Sequence, residues 1–183
     1  GLGHAVWCAR DLVGDQPFAV LLPDDLVLGP MSCLEQMVAD YDRVGGNLVA
    51  VMDLARAHTD RYGVLDPGKE SGSLVEVLGL VEKPKPEDAP STLSVCGRYI
   101  LQPTIFDRLT HQGVGAGGEI QLTDAMTGLI GAEPFHGFRF AGRRFDCGTK
   151  LGFLEASIAY AFAHDDMAGG ARALIDKFAT ALA

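Results

Sequence analysis

Three short stretches of this chain place charged side chains at the ends of apolar, strand-like runs. Asp24 and Asp25 follow one run, Glu82 and Lys83 follow a second, and Asp146 follows a third. Two separate aspartates and a Glu-Lys pair are the groups needed to hold a divalent metal, a sugar and a phosphate. The sequence therefore predicts a cleft that binds a phosphorylated sugar.

The aspartates have two possible roles each. In open α/β sheets, ligands bind beyond the carboxyl ends of the strands, so Asp24 is well placed to hold Mg²⁺. Asp24 or Asp25 could instead cap a turn. Asp146 precedes a helix and could be either its N-cap or a second metal-binding carboxylate. Two carboxylates from distant parts of the chain would define a site that one alone would not.

The Glu82-Lys83 pair ends the longest strand-like run. At a strand end the chain can turn and bring both side-chain tips towards one ligand. Glu82 could then accept hydrogen bonds from vicinal sugar hydroxyls, while Lys83 could place a positive charge against a phosphate. A solvated ion pair at a turn is the alternative.

Two glycine-rich stretches are less specific. A dinucleotide-binding loop needs a strand before its glycines, and no strand precedes Gly1 and Gly3 in this sequence. We interpret these glycines as allowing a flat base to approach the backbone, next to His4. In residues 118–124, helix initiation by the threonine or the aspartate is favoured over ligand contact.

The elements around these groups predict an α/β fold. Residues 18–22 and 47–52 form continuous apolar runs, typical of strands covered on both faces, and an amphipathic helix at 32–43 lies between them. This order predicts a right-handed crossover and a mixed, mostly parallel sheet. Further strands are predicted at 62–66, 73–82, 95–101 and 135–141. Further helices are predicted at 103–109, 121–130, 150–164 and 171–182.

Composition excludes several classes of protein. The formal net charge of −9 disfavours nucleic acid as a partner. No apolar run reaches the roughly 18 residues that a membrane span requires. The four cysteines form no C-x-x-C pair and no Cys/His cluster with zinc spacing, so we expect reduced, mostly buried thiols and a cytoplasmic location.

Seven segments together resemble the bacterial UTP–glucose-1-phosphate uridylyltransferases, which are also called UDP-glucose pyrophosphorylases. They occur in family order and cover nearly the whole chain: residues 1–5, 21–25, 62–64, 81–84, 97–100, 115–125 and 146–152. The resemblance implies a Rossmann-like nucleotidyltransferase fold, with residues 1–183 as one incomplete domain and residues 150–183 as a C-terminal helical segment. It also implies Mg²⁺-dependent formation of UDP-glucose and pyrophosphate from UTP and glucose 1-phosphate.

The resemblance implies nucleotide and metal roles for five residues. Gly1 matches the glycine whose backbone packs on the uracil, with Gly3 and His4 beside it. Asp24 and Asp146 match the two Mg²⁺-coordinating aspartates and are expected to be catalytic.

Sugar-side roles are implied for five more residues. Asp25 is expected next to the metal and the sugar. Gly63 and Gly97 match positions where the backbone approaches the glucose. Glu82 matches the acceptor of glucose hydroxyls, and Lys83 matches the catalytic lysine that contacts the sugar phosphate.

One departure from the family pattern matters most. The family begins with a strand and a G-x-G-T-R loop that wraps the triphosphate, and this sequence contains neither. We therefore expect the fold to be truncated at its N-terminus and the 183-residue chain alone to be inactive. We also expect a homo-oligomer. Transfer of a thymidylyl or adenylyl group, or a catalytically inactive module that binds a sugar nucleotide, are the alternatives.

Overall fold

The structure is a computed structural model that describes residues 1–181. By its internal contacts the chain divides into two units. The first comprises Gly1–Leu22 and Met31–Ala141, and the second comprises Pro23–Pro30 and the chain from Gly142 onward. The prediction of a single domain over residues 1–183, with a helical segment from residue 150, stays a prediction. Residues 182 and 183 of the last predicted helix lie outside the described residues.

The strands of the described chain, in sequence order, are β1 (Phe18–Leu21), β2 (Asp25–Leu28), β3 (Asn47–Asp53), β4 (Gly63–Ser71), β5 (Leu74–Glu82), β6 (Leu93–Leu101), β7 (Phe135–Arg139) and β8 (Arg143–Asp146). The α-helices are α1 (Leu2–Cys8), α2 (Arg10–Val13), α3 (Cys33–Val44), α4 (Ile105–His111), α5 (Leu122–Thr127), α6 (Lys150–Ala163) and α7 (Asp165–Ala181). Short 3₁₀ turns lie at Arg56–Arg61 and Ala116–Gly118.

The first unit is built on a six-stranded sheet in the order β1-β6-β3-β7-β5-β4. The prediction of a mixed sheet is confirmed, but the prediction that most neighbouring strands pair in parallel is wrong. Of the neighbouring pairs in this order, only β3 with β7 is parallel. The physical reason is that β6 runs antiparallel between β1 and β3, which themselves point the same way, and that β4 and β5 form a hairpin.

Helix α3 begins and ends where its sequence predicts. The Ser32 hydroxyl accepts a hydrogen bond from the backbone N–H of Glu35, which caps the first turn. Gly45 ends the helix with φ +63°, a conformation that glycine adopts without strain. Met37 is fully buried against the sheet, whereas its neighbour Val38 is exposed.

The core of the first unit lies where the central strands meet α4 and α5. Its largest fully buried side chains include Leu65, Leu101, Ile105, Leu122 and Met126. Burial on this scale contributes about 1.5–3 kcal/mol per large side chain. The helices thereby hold the ends of β4 and β5 in fixed positions.

Strand β1 differs from its prediction as a fully covered strand. Its residues alternate between half-buried and exposed, and Leu21 is exposed. The reason is position, because β1 stands at the end of the strand order and pairs with β6.

The second unit joins two short strands, β2 and β8, to the helical hairpin α6–α7. A strand-like run before Asp146 is visible in the sequence, but neither β2 nor β8 is among the strands predicted above. They pair antiparallel, with Asp25 opposite Asp146 and Leu26 opposite Phe145. Leu151 and Leu154 on α6 are exposed within the described structure, whereas Ala156 on the same helix is buried. None of the helices in residues 1–181 combines the length and apolar character that a membrane span requires.

Candidate active site

The Glu82-Lys83 pair lies at the end of β5, in the first unit. Lys83 has φ +46°, the left-handed conformation that non-glycine residues rarely adopt, and its N–H donates to the carbonyl of Tyr62. This turn brings the Lys83 ammonium within 3.5 Å of a Glu82 carboxylate oxygen. The Glu82 side chain is only 12% exposed, whereas that of Lys83 is 54% exposed. The strand end therefore presents a shielded acceptor beside a solvent-facing cation.

Gly63 and Thr123 complete this corner. Gly63 pairs with Glu82 across the β4–β5 hairpin. A Cβ on Gly63 would stand 3.3 Å from the Thr123 hydroxyl and 3.4 Å from the Glu82 carboxylate. A carboxylate and a hydroxyl thus flank the buried backbone of Gly63, and both groups are suited to sugar hydroxyls. The structure brings Gly63, Glu82 and Lys83 together, as predicted for one binding surface.

Thr123 is the residue that sequence reasoning missed in this corner. We interpreted it, with Asp124, as a helix start, but α5 begins after Gln121 and has no side-chain cap. Thr123 and Asp124 instead lie within the first turn, and Thr123 is buried. The available signal was the position of this threonine inside one of the seven family segments.

The glycines at the start of the chain have a packing reason of their own. The N–H of Gly3 donates to the carbonyl of Ile120, and a Cβ on Gly3 would lie only 2.7 Å from that oxygen. A Cβ on Gly1 would collide with the Glu119 side chain. The segment that supplies Thr123 to the corner beside Gly63 and Glu82 therefore also fixes the position of α1. Base approach at Gly1 and Gly3 stays a prediction.

His4 and Gly97 lie at other places in the first unit. His4 is exposed on α1, where its ring stacks near Trp7 and its Nε2 lies 3.7 Å from the Cys8 sulfur. Gly97 is buried in β6, and its carbonyl accepts hydrogen bonds from the Leu22 N–H and from its neighbour Arg98. Their predicted contacts with base and glucose stay predictions.

The second unit brings Asp24 and Asp146 together. A Cβ on Gly148 would lie 3.1 Å from Asp146 Oδ1 and 3.4 Å from Asp24 Oδ2, so both oxygens converge on one glycine. The N–H of Cys147 donates to the carbonyl of Asp24 at 2.7 Å, which ties the two segments together. Asp146 is not the N-cap of α6, because the Thr149 hydroxyl performs that role by accepting from the Gly152 N–H. The interpretation of Asp146 as an N-cap is therefore wrong.

Asp25 is held by a cation that the sequence did not indicate. Its side chain is buried and pairs with the guanidinium of Arg144, which is itself only 10% exposed. Arg144 also lies 3.8 Å from Asp146. Sequence reasoning missed Arg144 because its partner stands 119 residues away and only the β2–β8 register brings the two together.

The pKa of the Cys147 thiol is affected by the negative charge of this carboxylate cluster. Burial raises the pKa of its thiol, and the negative charges of Asp146, Asp24 and Asp25 raise it further. The thiol therefore stays protonated at neutral pH and is a poor metal ligand, since metals bind the thiolate. None of the chain's four cysteines forms a disulfide.

The carboxylates of Asp24 and Asp146 are suited to a hard cation such as Mg²⁺. No group of three or more His, Cys, Asp or Glu side chains within the described chain could enclose a metal. Mg²⁺, however, typically takes one or two carboxylates and completes its shell with phosphate oxygens and water. The converging oxygens of Asp24 and Asp146 match that requirement.

Comparison with known proteins assigns the chain to a family. A sequence model of the nucleotidyl transferase family matches residues 1–161. The chain belongs to the nucleotidyl transferase family. It is similar to the UTP–glucose-1-phosphate uridylyltransferase of Komagataeibacter xylinus, with 56% identity over 151 residues, which are 82% of this chain and 53% of that protein.

Two solved structures resemble this nucleotidyl transferase in fold and sequence. A UDP-glucose pyrophosphorylase complexed with UDP-glucose superposes with a TM-score of 0.86 at 40% identity, over 90% of this chain and 63% of that one. The UTP-bound UGPase of Acinetobacter baumannii gives a TM-score of 0.85 at 38% identity, over 96% and 61%. The chain thus has the α/β nucleotidyltransferase fold, and it spans little more than half the length of its curated relatives.

Proposed function

We propose that this nucleotidyl transferase moves a uridylyl group from UTP to glucose 1-phosphate, giving UDP-glucose and pyrophosphate. The observation that carries the proposal is the left-handed turn at Lys83, which sets an exposed ammonium beside the shielded Glu82 carboxylate. A sugar phosphate needs both groups close together, an acceptor for hydroxyls and a cation for phosphate. Relatives of 38–56% identity, which are named for this enzyme, support the choice of reaction.

On the sugar side, Glu82 and Thr123 bind glucose hydroxyls while the backbone at Gly63 approaches the ring. Gly63 is buried between Thr123 and Glu82, and a side chain there would crowd both of them. Lys83 neutralises the phosphate. A point charge on a flexible stem suits a phosphate group that changes its charge distribution during the reaction. Asp25 and Gly97 are assigned to the glucose surroundings by family resemblance alone.

On the metal side, Asp24 and Asp146 would hold Mg²⁺. When bound, the ion would supply positive charge to the phosphate oxygens of the nucleotide. The protein's own contribution is to fix two carboxylate oxygens on one side of Gly148. Gly1, Gly3 and His4 are assigned to the uracil.

The chemical step is a direct displacement. An oxygen of the glucose 1-phosphate group attacks the α-phosphorus of UTP, and a new phosphorus–oxygen bond forms. The bond from the α-phosphorus to the oxygen that bridges to the β-phosphorus breaks, and pyrophosphate leaves with that electron pair. No side chain becomes covalently attached, so Lys83 acts through positioning and charge.

A turnover assay tests the proposal. The 183-residue chain and the full product of its gene are each supplied with glucose 1-phosphate, Mg²⁺ and UTP, dTTP or ATP. UDP-glucose and pyrophosphate should appear in equal amounts with the full product, and UTP should be preferred. Preference for dTTP or ATP would overturn the assignment of the base. Absence of turnover by the full product with all three nucleotides would overturn the proposed reaction. For the chain alone we expect no turnover.

The metal-binding carboxylates give a second test of the same proposal. Asp24→Asn and Asp146→Asn should each lower kcat at fixed Mg²⁺ by about 100-fold or more, since phosphoryl transfer depends on charge neutralisation. Asp42→Asn, a matched change on the exposed face of α3, should leave kcat unchanged. Full activity in either test variant would remove that aspartate from the metal site.

The remaining partners follow from the substrates. We propose that the protein acts on nucleotide and sugar phosphate and does not bind nucleic acid or membrane, that it forms a homo-oligomer, and that it works in the cytoplasm. The absence of disulfides among its cysteines is compatible with a reducing compartment.

A further inference from the structure

Arg144 lies at an unusual place in the β2–β8 pair. The register sets Asp25 directly opposite Asp146, and like charges in that relation destabilise a sheet. Arg144 precedes Asp146 by two residues, so both project from the same face of β8. Its guanidinium bonds the Asp25 carboxylate and lies 3.8 Å from Asp146 Oδ2. One buried cation therefore separates two opposed carboxylates.

The two oxygens of Asp146 thereby face different neighbours. Oδ2 faces Arg144, whereas Oδ1 accepts a hydrogen bond from the Gly148 N–H at 3.1 Å. Oδ1 is also the oxygen that converges with Asp24 Oδ2 above Gly148. Attraction to Arg144 on one side leaves the other oxygen directed at the predicted metal position.

The charge of the cluster is consistent with this arrangement. Asp24, Asp25 and Asp146 carry three negative charges and Arg144 one positive charge, which leaves two negative charges for a divalent cation to balance. A guanidinium suits this place better than an ammonium, because its planar fork can face two carboxylates at once.

We propose that Arg144 is a positioning residue for the divalent cation of the proposed uridylyl transfer, on which this inference rests. It fixes Asp25 and orients Asp146, so that Asp146 Oδ1 and Asp24 Oδ2 form one binding edge. Arg144 itself contacts neither metal nor substrate.

Electrostatics and positioning predict opposite results when Arg144 is removed. Loss of a nearby positive charge should by itself strengthen cation binding. Loss of a positioning residue should weaken it, by about 10- to 100-fold for a group that supports a metal ligand. The sign of the change in affinity therefore distinguishes the two roles.

The experiment measures Mn²⁺ binding to this chain by electron paramagnetic resonance, with the melting temperature recorded in parallel. Arg144→Met should raise the Kd for Mn²⁺ by about tenfold or more. Arg143→Met is the matched control, because Arg143 is exposed on the same strand and pairs with Glu155. It removes the same charge and should leave the Kd unchanged or slightly lower.

A double variant keeps the test valid if Arg144→Met unfolds the chain. Asp25→Asn with Arg144→Met removes both buried partners and preserves the net charge of the cluster. Its Kd for Mn²⁺ should still rise about tenfold, because Asp146 is no longer oriented.

The other possible results distinguish failure of the role of Arg144 from failure of the proposed metal site. Wild-type affinity in the double variant, tighter binding in Arg144→Met, or equal weakening in Arg143→Met would overturn the role of Arg144 and leave the proposed function intact. Absence of Mn²⁺ binding by the wild-type chain would instead overturn the metal part of the proposed function, and this inference with it.

Discussion

At the scale of single residues, the proposed sugar-binding corner formed by Gly63, Glu82, Lys83 and Thr123 depends on the backbone conformation of Lys83. Lys83 adopts φ +46° even though a non-glycine residue there costs about 1 kcal/mol or more. The neighbouring side chain of Glu82 is shielded, and the Lys83 N–H is bonded to Tyr62. Strain of this kind persists where the surrounding structure enforces it, and it occurs often at binding sites.

The first prediction concerns the charge of Lys83. Lys83→Ala should lower kcat/KM for glucose 1-phosphate by roughly 10- to 100-fold, since a charge-assisted hydrogen bond contributes about 1.5–3 kcal/mol. Steady-state kinetics of the full-length protein measures the loss. Lys85→Ala, two residues further along the same exposed loop, should have no effect. Equal losses in both variants would mean that only the general positive charge of the loop matters.

The second prediction concerns the hydroxyl of Thr123. Thr123→Val keeps the shape of the side chain but removes its hydrogen-bonding group, so KM for glucose 1-phosphate should rise about fivefold. Thr123→Ser keeps the hydroxyl and should retain nearly normal KM. A similar KM in the two variants would exclude hydrogen bonding by Thr123 as a source of affinity for the sugar.

At the scale of secondary-structure elements, α3 is tied to the sheet by a carboxylate. Asp40 accepts a hydrogen bond from the Ser73 hydroxyl, at the turn before β5, and pairs with Arg43 on its own helix. The bond from Ser73 is the main reason that the pKa of Asp40 lies below its usual range, and Arg43 lowers it further. A lowered carboxyl pKa stabilises the folded state above the unfolded pKa of about 3.9.

The third prediction follows from the lowered pKa of Asp40, which stabilises the folded state at neutral pH. Asp40→Asn should lower the free energy of unfolding at pH 7 by about 1 kcal/mol. The difference from wild type should shrink as the pH falls below about 4, because the Asp40 carboxylate of the unfolded chain is protonated first and that of the folded chain only at lower pH. Thermal unfolding at several pH values measures it, with Asp42→Asn on the same helix as control. A difference that does not change between pH 7 and pH 3 would show that the charge of Asp40 is not its source.

The sequence predicted elements more reliably than their pairing. Helix α3 was found because its capping serine, apolar spacing and terminal glycine are all local signals. Strands β2 and β8 were missed because each has four residues, and because β8 carries two arginines and an aspartate around one phenylalanine. The antiparallel β6 between β1 and β3 leaves no local trace, since strand order depends on contacts between distant segments.

In the candidate site, too, local features could be predicted from the sequence, whereas features that depend on strand pairing could not. Glu82, Lys83, Asp24 and Asp146 could be found because charged residues after strand-like runs are visible in sequence. Arg144 could not be found in this way, because it only acquires its role when β8 pairs with a segment 119 residues away.

At the scale of the whole molecule, the second unit leaves large apolar side chains on its surface. Phe153 on α6 is 62% exposed and Phe178 on α7 is 59% exposed, with further apolar side chains on both helices. Contiguous apolar surface on a protein is often an association site. This feature supports the expectation that the protein associates with itself.

The fourth prediction tests that expectation. Sedimentation velocity should show species larger than the monomer mass of 19.4 kDa for the wild-type chain. Replacing Phe153 and Phe178 together by Glu should shift the distribution towards monomer, because charged groups oppose burial of that surface. Leu12→Glu is the control, since Leu12 is 92% exposed on α2 in the first unit. A monomeric wild-type chain would contradict the expectation.

The separation between Asp25 and Arg144 also has a consequence in time. Chains are synthesised at about 5–20 residues per second, so Arg144, which follows Asp25 by 119 positions, is added on the order of 6 to 24 s after it. During that interval the Asp25 carboxylate has been made but the cation that compensates it has not. All strands of the first unit's sheet except β7 end by Leu101, well before Arg144 is added. The carboxylate cluster therefore assembles only after most of that sheet has been synthesised, and a chain released before residue 144 lacks the cluster.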